Sequence, residues 1–562
     1  MKEREPQKEV KTSDYVLDFL VEQGVEHVFG FTGGGIATQL DAFSRNDKIK
    51  FIPVQHEQAA AMAAEAYGRL HKSHLGVAMA TSGPGGTNLI TGMCGAYFDS
   101  VPTLFITGQV GTFDLNEGRT RQIGFQEADM VKIMSPFTKY SCMVRRPEDI
   151  GLVLGQAVEI ARSGRPGPVH VDIPIDVQMG QAVIESFKPA VIIKDRESIR
   201  YMAKQAMGLM EKAKRPVIVA GEGIRMAGAI EQFRELSKEL NWPVLPSWAF
   251  ADFTDKNRLG LIGVYGDRGA NMAIQNADLI LSIGSRLDSR MTGSHPKLFS
   301  PEAVKIVVDI DQDELLKGRF DIDMPLVVDA GDFIRSLRSE MTDFRSPDIR
   351  EWTSKCQEWK GLDKRDLSSD RVNPYLFGQI LGEETEGVVI PDCGGNLIQF
   401  MQSFKFKGQR VFSSFGNSSM GYALPASIGA SFAQNEQVVC TIGDGGIQIS
   451  IQELQTIVNN DLPIKIFVYN NRGYMTIRQF QDTNMGGRHV GSEEKCPDMV
   501  KVATAYGIPS MRIEKNDDLR SGIRTALDAP GPMIVDVIMD DTGHWPKVGF
   551  GKPLDQMSPP LT

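Results

Sequence analysis

The sequence predicts an α/β protein with three Rossmann-like domains, each built on a parallel β-sheet. The chain has 562 residues, which is too many for one hydrophobic core, because single cores stop growing near ~250–300 residues. Short apolar runs alternate with helical segments along most of the chain, which is typical of parallel sheets. Many of these runs end in glycine-rich or polar turns, the places where open α/β sheets bind ligands.

Changes in composition divide the chain into three domains. The first, residues 1–185, alternates strand-like runs such as VEHVFGF with helical segments. The second spans residues 195–345 and follows a short linker. A polar, charged bridge at 345–373 shows no obvious core and leads into the third domain, residues 370–562. That domain ends in GHWPKVGFGKPLDQMSPPLT, which is rich in proline and glycine and is expected to form an extended tail.

Charge and cysteine content argue against several classes of protein. The net charge of −10 disfavours nucleic-acid binding, which needs clustered Lys and Arg. No stretch reaches the ~18 uninterrupted apolar residues of a membrane span, and the charged N-terminus lacks the apolar core of a signal peptide. The six scattered cysteines include no C-x-x-C pair, which favours free thiols. We therefore expect a cytoplasmic protein with neither nucleic acid nor a membrane as a partner.

Polar residues follow two neighbouring strands of the third domain. Gly443-Asp444-Gly445 comes directly after the strand VVCTI, and Asn470-Asn471 follows the next strand, IKIFVY. Parallel strands present their carboxyl ends at one edge of a sheet, so these turns are expected to meet. Carboxylate and amide oxygens suit Mg²⁺, and the glycines allow a diphosphate to approach the backbone. Two unrelated turns are the alternative, which the placement after a buried strand at both ends disfavours.

This pattern resembles the GDG…NN motif of thiamine-diphosphate enzymes. The resemblance implies that Asp444 and Asn471 bind Mg²⁺, with the backbone carbonyl of Gly473 as a third ligand. It also implies cofactor contacts at the neighbouring glycines Gly443, Gly445 and Gly446.

A glutamate in the first domain acquires a role from the same resemblance. Glu57 follows the strand KFIPV and begins an alanine-rich helix. Taken alone, a glutamate in the first turn of a helix is a surface residue favoured by the helix dipole. In thiamine enzymes one glutamate hydrogen-bonds N1′ of the aminopyrimidine and supports the tautomer that removes the C2 proton. That role needs a buried carboxylate able to share a proton, and the resemblance assigns it to Glu57.

Further motifs of the family occur in order along the chain. Residues 81–88, TSGPGGTN, resemble the TSGPGATN turn; 125–127 resemble FQE; 138–139 resemble the TK pair; and 419–422 resemble the AMGFG stretch. The methionine of that stretch supports the bent conformation of the cofactor. These matches and their neighbours imply cofactor contacts at Thr81, Gly83, Ser418 and Met420. Asn396 is a further expected contact, in the stretch 395–400 that departs from the family's diphosphate-contacting GQHQMW. Two further residues, Gly34 and Gln126, are expected to line the catalytic site.

The closest subfamily resemblance is to acetolactate (acetohydroxyacid) synthases, and it covers nearly the whole chain. Residues 263–271 and 286–293 resemble the GMHGT..AN and RFDDRVTG elements of their central domain. That domain holds a non-redox FAD, which implies contacts at Gly223, Gly266, Arg286 and Asp309. The arginine corresponding to Arg290 selects the acceptor acid, whereas a solvated surface charge is the alternative reading.

The family also implies an assembly. Its cofactor lies between the first domain of one subunit and the third domain of another. Glu57 and Asp444 lie in these two domains, so a homodimer or a homotetramer is expected.

The departures from the family concern the acceptor. Phe480 stands where acetolactate synthases have a tryptophan that narrows the acceptor pocket. Gly111 replaces a proline, Ser289 replaces an aspartate, and the loop 112–124 is longer and polar. The expected substrate-binding residues are Phe125, Lys139, Arg290 and Phe480.

The expected reaction is decarboxylation of a small 2-oxo acid, pyruvate, and transfer of its two-carbon unit to a carbonyl acceptor. Acetolactate formation from two pyruvates is the first reading. The alternative is a carboligase of polysaccharide biosynthesis that uses a nucleotide-linked keto-deoxysugar, whose diphosphate would be held by Arg119, Arg121, Arg478 and Arg488. A simple decarboxylase, oxidase or lyase and a non-catalytic subunit also stay open.

Overall fold

A computed structural model of the chain describes residues 9–116, 118, 120–185, 187, 195–362, 365–493, 495–540 and 548–557. Three parallel β-sheets organise this part of the chain, which confirms the predicted α/β class. Within the described residues no helix combines the length and apolarity needed to cross a bilayer. The six cysteines all lie in described segments, and none forms a disulfide.

The first sheet has six parallel strands in the order β3-β2-β4-β5-β7-β6, beside a small antiparallel pair, β1-β8. The strands are β1 Val10–Lys11, β2 His27–Gly30, β3 Lys50–Pro53, β4 Gly76–Ala80, β5 Thr103–Gln109, β6 Tyr140–Met143, β7 Pro168–Pro174 and β8 Gln181–Ala182. The helices are α1 Thr12–Glu22, α2 Ala37–Phe43, α3 Glu57–Leu70, α4 Pro84–Asn88, α5 Ile90–Phe98, α6 Met130–Met134, α7 Ile150–Arg162 and α8 Ile175–Met179.

The central sheet has five parallel strands in the order β10-β9-β11-β12-β13. They are β9 Pro216–Ala220, β10 Val244–Pro246, β11 Leu279–Ile283, β12 Val304–Asp309 and β13 Met324–Val327. The helices are α9 Arg196–Met210, α10 Gly223–Met226, α11 Ile230–Leu240, α12 Arg268–Gln275, α13 Ser289–Thr292, α14 Gln312–Leu316, α15 Ala330–Glu340 and α16 Arg350–Lys360.

The third sheet again has six parallel strands, in the order β15-β14-β16-β17-β19-β18. They are β14 Val388–Pro391, β15 Arg410–Val411, β16 Val438–Gly443, β17 Ile464–Asn470, β18 Ser510–Ile513 and β19 Met533–Ile538. The helices are α17 Pro374–Glu384, α18 Gly395–Ser403, α19 Ala423–Gln434, α20 Asp444–Ser450, α21 Leu454–Asn459, α22 Met475–Asn484, α23 Met499–Tyr506, α24 Leu519–Asp528 and α25 Leu554–Met557.

The two six-stranded sheets share one topology. Numbered within its own domain, each sheet runs second, first, third, fourth, sixth, fifth strand. In both sheets the strand order reverses direction between the first and third strands, β2 and β4 in one, β14 and β16 in the other. Such a switch point leaves a crevice at the carboxyl ends of the strands, which is the usual ligand position in open α/β sheets.

The first and third domains pack directly against each other through α3 and α19. Both helices are rich in alanine and glycine, so their backbones come very close. A Cβ atom at Gly429 would lie 1.9 Å from the carbonyl oxygen of Ala63, which excludes any side chain there. Side chains from both domains, such as Phe29 and Ile390, belong to one hydrophobic cluster.

Buried polar contacts also join the domains. The Tyr422 hydroxyl of the third domain donates to Glu65 on α3. Arg410, the first residue of the same domain's edge strand β15, pairs with Glu222 at 2.7 Å and with Asp252 at 2.9 Å in the central domain. Removing one partner would leave a buried charge uncompensated, so these pairs hold the domains in a specific arrangement.

Two expectations about connecting segments are wrong. The bridge expected to lack a core contains α16, whose Trp352 and Cys356 are buried in the central cluster. The Trp352 indole also donates to the carbonyl of Pro216 at 2.9 Å. The expected extended tail contains α25, whose Leu554 and Met557 are buried in the same cluster. The buried residues of α16 and α25 lie among polar residues, so the sequence pattern did not indicate that these segments pack against a core.

Candidate active site

The two turns expected to bind a metal meet at one sheet edge. β16 and β17 are adjacent and parallel, with Gly443 opposite Tyr469. One Asp444 carboxylate oxygen accepts hydrogen bonds from the backbone amides of Arg472 (2.7 Å) and Gly473 (3.1 Å), which follow Asn471. Asp444 is only 1% exposed, and this burial raises the pKa of its carboxyl to about 6. A cation at this carboxylate would favour its charged form.

Two amide side chains in the segments that follow β14 and β17 have unsatisfied polar atoms. Within the described part of the chain, Asn471 Oδ1 is buried without a hydrogen-bond partner, and so is Asn396 Nδ2. Buried polar atoms are normally paired, so orphaned ones indicate a missing ligand, ion or water. An oxygen of this kind next to a carboxylate matches the ligand chemistry of Mg²⁺, and an N–H donor matches an anionic or polar cofactor group.

Asp392, which the sequence analysis did not select, organises the neighbouring turn. It follows β14 and is fully buried, and its carboxylate accepts from the amides of Gly421 (3.0 Å) and Ala423 (3.1 Å). These bonds fix the turn that carries Met420. A Cβ atom at Gly446 would lie 2.5 Å from the same carboxylate, so this position requires glycine. The position of Asp392 after the strand next to β16, at the switch point, was the available signal.

Glu57 begins α3 and is buried, in contrast to the surface position that its sequence alone suggests. The Asn88 side chain donates to its Oε2 at 2.9 Å. The helix is capped by the side chain of His56, whose Nδ1 accepts from the Gln58 amide at 3.1 Å. Glu57 is therefore a buried, oriented carboxylate. Asn88 lies in the matched TSGPGGTN motif, but its contact with Glu57 could not be read from the sequence.

The glycine-rich turns of the first domain lie around this glutamate. Thr81 accepts from the Gly35 amide at 2.9 Å, so its hydroxyl joins the turns that follow β2 and β4. A Cβ atom at Gly34 would meet nothing within 4 Å, so this residue faces open space. Gly83 and Gln126 both have positive φ angles, and a Cβ atom at Gly83 would lie 2.5 Å from the Gln126 carbonyl oxygen. The structure therefore brings Gln126 against the turn at Gly83.

The segment before Gln126 is held by one carboxylate and carries exposed apolar side chains. Glu127 accepts from the amides of Asn116, Ile123 and Gly124. Phe113 and Phe125 on this segment are 79% and 84% exposed. Phe125 thus makes little contact within its own chain.

Helix α22 presents a second exposed surface. Phe480 is 52% exposed, Ile477 is similar, and no residue of α22 is buried. Arg478 donates to the carbonyl of Arg472 at 2.6 Å, in the turn after β17 that is expected to bind a metal. Arg119 lies outside the described residues.

Lys139 occupies a structural position. Its ammonium group donates to the carbonyls of Ile160 and Ser163 at the end of α7, the second at 2.6 Å. Burial lowers its pKa to about 8. These contacts occupy two of the three ammonium donors of a side chain expected to bind substrate, a role that stays a prediction.

A pocket lies where the central sheet faces the first domain. Three of the four residues expected to contact FAD line it, Gly223, Arg286 and Asp309, at or after the carboxyl ends of β9, β11 and β12. The fourth, Gly266, is not among the lining residues; its amide donates to the carbonyl of Gly263 at 2.9 Å, and its contact with FAD stays a prediction.

Arg290 lines the same pocket, with its guanidinium 5.2 Å from the ring of Trp248. Its charge acts to lower the pKa of the Cys393 thiol, which burial raises. Cys393 directly follows Asp392, so Arg290 lies between the pocket and the third-domain site. This half-buried position contradicts the reading of Arg290 as a solvated surface charge.

Comparison with known proteins agrees with this arrangement. Three family models match: the thiamine pyrophosphate enzyme N-terminal TPP binding domain over residues 10–133, the central domain over 203–337 and the C-terminal TPP binding domain over 392–537. The chain is 34% identical to the acetolactate synthase isozyme 3 large subunit of Escherichia coli, covering 97% of this chain and 98% of that protein. It is 32% identical to a probable acetolactate synthase large subunit of Methanocaldococcus jannaschii (98% and 96%) and 33% identical to an acetolactate synthase large subunit of Lactococcus lactis (99% and 97%). The chain belongs to the acetolactate synthase large-subunit family of thiamine pyrophosphate enzymes.

Proposed function

We propose that this chain catalyses the thiamine-diphosphate- and Mg²⁺-dependent conversion of two pyruvates into 2-acetolactate and CO₂. The observation that carries the proposal is Oδ1 of Asn471, which is buried and unpaired within the described structure. Asn471 lies in a turn at the carboxyl ends of two adjacent strands, and the next residue, Arg472, binds the Asp444 carboxylate through its amide. An oxygen-ligand site at this edge suits a magnesium ion that bridges to a diphosphate. The names of the relatives support the choice of reaction.

The residues would divide the work as follows. Asp444, Asn471 and the carbonyl of Gly473 would hold Mg²⁺. When bound, thiamine diphosphate supplies the electron sink that makes loss of CO₂ from a 2-oxo acid possible. Glu57 would exchange a proton with N1′ of the aminopyrimidine, and Asn88 keeps the Glu57 carboxylate oriented.

The third-domain turn and the first-domain turns would enclose the rest of the cofactor. Met420, held by Asp392, would support the bent conformation. Gln126 and Gly34 would border the reacting carbon. Thr81, Gly83, Asn396 and Ser418 complete the proposed cofactor contacts.

The pocket of the central domain would hold FAD without a redox step. Gly223, Arg286 and Asp309 line it. A Cβ atom at Gly221 would lie 2.0 Å from the carbonyl oxygen of Gly284, so two strand-end turns meet through bare backbone. Such a floor admits close approach of a dinucleotide. Arg290 would contact the acceptor acid from the side of this pocket.

The active unit would be a homodimer or a homotetramer in the cytoplasm. Phe113, Phe125 and Phe480 are large apolar side chains exposed in the single chain. Exposed apolar surface of this kind is typical of protein interfaces. Six unpaired cysteines fit a reducing compartment.

A keto-sugar acceptor is the second candidate. It is favoured by the surface around α22, where Arg478 Nε is buried without a partner in the described structure and Phe480 leaves more room than a tryptophan. Arg121 and Arg488 would add positive charge for a nucleotide diphosphate.

One experiment separates the candidates. Purified protein is incubated with thiamine diphosphate, Mg²⁺, FAD and pyruvate alone, and pyruvate loss and acetolactate formation are followed. Rapid acetolactate formation is expected. Slow acetolactate formation, combined with pyruvate loss that accelerates when a ketone or a keto-deoxysugar is added, would identify the added carbonyl compound rather than pyruvate as the natural acceptor. No pyruvate loss under any of these conditions would contradict the assigned chemistry.

A further inference from the structure

A break in the helix after the metal-binding turn brings a buried carboxylate to the start of α3. The sequence pattern predicts one continuous helix over residues 449–461, but the structure ends α20 at Ser450 and begins α21 at Leu454. Glu453 lies in the single 3₁₀ turn between them and is fully buried. Its side chain reaches the first domain.

Glu453 binds the backbone that leads into the catalytic helix. Its Oε1 and Oε2 lie 3.1 and 3.2 Å from the amide nitrogen of Gln55, which is 398 positions away in the sequence. The next amide, that of His56, also donates to the carboxylate. Thr456 holds the carboxylate in place by donating to Oε2 at 2.8 Å. Two consecutive amides of the first domain are thus satisfied by a side chain of the third.

These contacts act on the two residues immediately before Glu57. His56, whose amide binds Glu453, is also the N-cap residue of α3, and its ring accepts from the Gln58 amide. Glu57 is the first residue of the helix, and the far end of its side chain is held by Asn88. Its backbone is fixed through Glu453 and its carboxylate through Asn88. A displacement of about 1 Å at such a group can cost 10²-fold in rate.

We propose that Glu453 is a positioning residue for Glu57: by binding the amides of Gln55 and His56, it sets the direction from which the Glu57 carboxylate approaches its proton acceptor. The inference rests on the proposed thiamine chemistry and adds to it a residue that contacts neither substrate nor cofactor. Burial raises the pKa of the Glu453 carboxyl to about 7, and the hydrogen bonds from Thr456 and the two amides oppose that rise. The role assigned here depends on an acceptor oxygen rather than on charge.

The test compares Glu453→Ala, Glu453→Asp and Glu453→Gln, with Gln452→Ala as a neighbouring control. The first readout is the exchange of the C2 proton of bound thiamine diphosphate with deuterium in the absence of substrate, which reports the action of Glu57 directly. Glu453→Ala is expected to slow exchange about 10- to 100-fold, and Glu453→Asp, which shortens the side chain, by less. Glu453→Gln keeps an acceptor oxygen and should stay within about threefold of the parent enzyme. The affinity for thiamine diphosphate with Mg²⁺ should change little, because Asp444 and Asn471 are untouched.

A second readout needs no cofactor. Amide hydrogen exchange in the peptide that contains Gln55 and His56 should be faster in Glu453→Ala than in Gln452→Ala, because two buried donors lose their acceptor. Glu453→Asp provides the same comparison if the alanine variant does not fold.

A double-mutant cycle shows whether Glu453 acts through Glu57. In a Glu57→Gln background, Glu453→Ala should cause no further slowing of C2 exchange. An equal fractional loss in both backgrounds, parent-like exchange in a folded Glu453→Ala protein, or a glutamine variant as slow as alanine would each overturn the proposal. A parent enzyme that does not accelerate C2 exchange at all would instead refute the proposed function itself.

Discussion

The cofactor-anchoring edge of the third sheet and the acceptor side of the molecule differ in how complete they are within one chain. At the sheet edge, Asp444 and Asp392 are buried and bound by backbone amides, and the unpaired atom of Asn471 lies beside them. On the acceptor side, Phe125 and Phe480 face solvent. The groups expected to hold the cofactor are therefore ordered by contacts within a single chain. The groups expected to select the acceptor are exposed to solvent in that chain.

The largest expected effect comes from Glu57→Gln. Removing the proton-exchanging carboxylate should lower turnover of pyruvate by about 10²- to 10⁴-fold. Stabilisation of the protein by thiamine diphosphate and Mg²⁺ in thermal unfolding should persist, because the anchoring edge is unchanged. Near-normal turnover would remove Glu57 from the mechanism.

Asp444→Ala tests the cofactor-anchoring edge of the third sheet. Loss of the carboxylate is expected to weaken the joint binding of thiamine diphosphate and Mg²⁺ by about 100-fold or more, since even groups outside the metal's direct ligands contribute 10- to 100-fold. Titration calorimetry and the thermal shift measure this loss, with the exposed Asp517→Ala as the control. Equal affinity in the two variants would place the metal elsewhere.

Phe480→Trp tests the exposed acceptor side of the molecule. A larger ring should disfavour acceptors bulkier than pyruvate, such as an aromatic aldehyde or a keto-sugar, by about 10-fold relative to pyruvate. The C2 exchange rate should not change, because Phe480 has no part in activating the cofactor. Tyr201→Trp on the exposed face of α9 serves as the control. An unchanged acceptor ratio would mean that Phe480 does not border the acceptor.

The smallest expected effect concerns Gln109 and Asp172, two buried residues that support the segment around Gln126. Gln109 donates to Asp172 at 3.0 Å and to the Ala128 carbonyl at 2.8 Å, close to Gln126. Burial raises the pKa of Asp172 to about 7 from its usual 3.8. Between these values the folded protein holds a proton that the unfolded chain lacks, so this group's contribution to stability falls as the pH rises from about 4 to 7.

Asp172→Asn imitates the protonated form and should reduce the fall in Tm between about pH 5 and pH 8 by about 2–4 °C. Thermal unfolding of the cofactor-free protein across this range gives the measurement. A Tm profile parallel to that of the parent protein would assign the pH dependence to other groups.

The elements that depend on nearby sequence were predictable, and contacts between distant segments were not. Alternating apolar runs and polar turns predicted the three sheets, and the two turns after β16 and β17 meet because parallel strands share an edge. Glu453 and Gln55 are 398 positions apart, and no local pattern joins them. Lys139 matched a motif by its neighbours, yet its ammonium group binds helix carbonyls, because sequence spacing does not show where a long side chain points.

The exposed phenylalanines near Gln126 have a practical consequence for handling the protein. Glu127 binds the backbone amides of Asn116, Ile123 and Gly124, and Phe113 and Phe125 are exposed in the single chain. In the proposed homodimer or homotetramer these rings would be covered, so by mass action specific activity should decline as the enzyme is diluted and recover on reconcentration. Assays at nanomolar protein would underestimate the specific activity unless a carrier or a high stock concentration preserves the proposed oligomer.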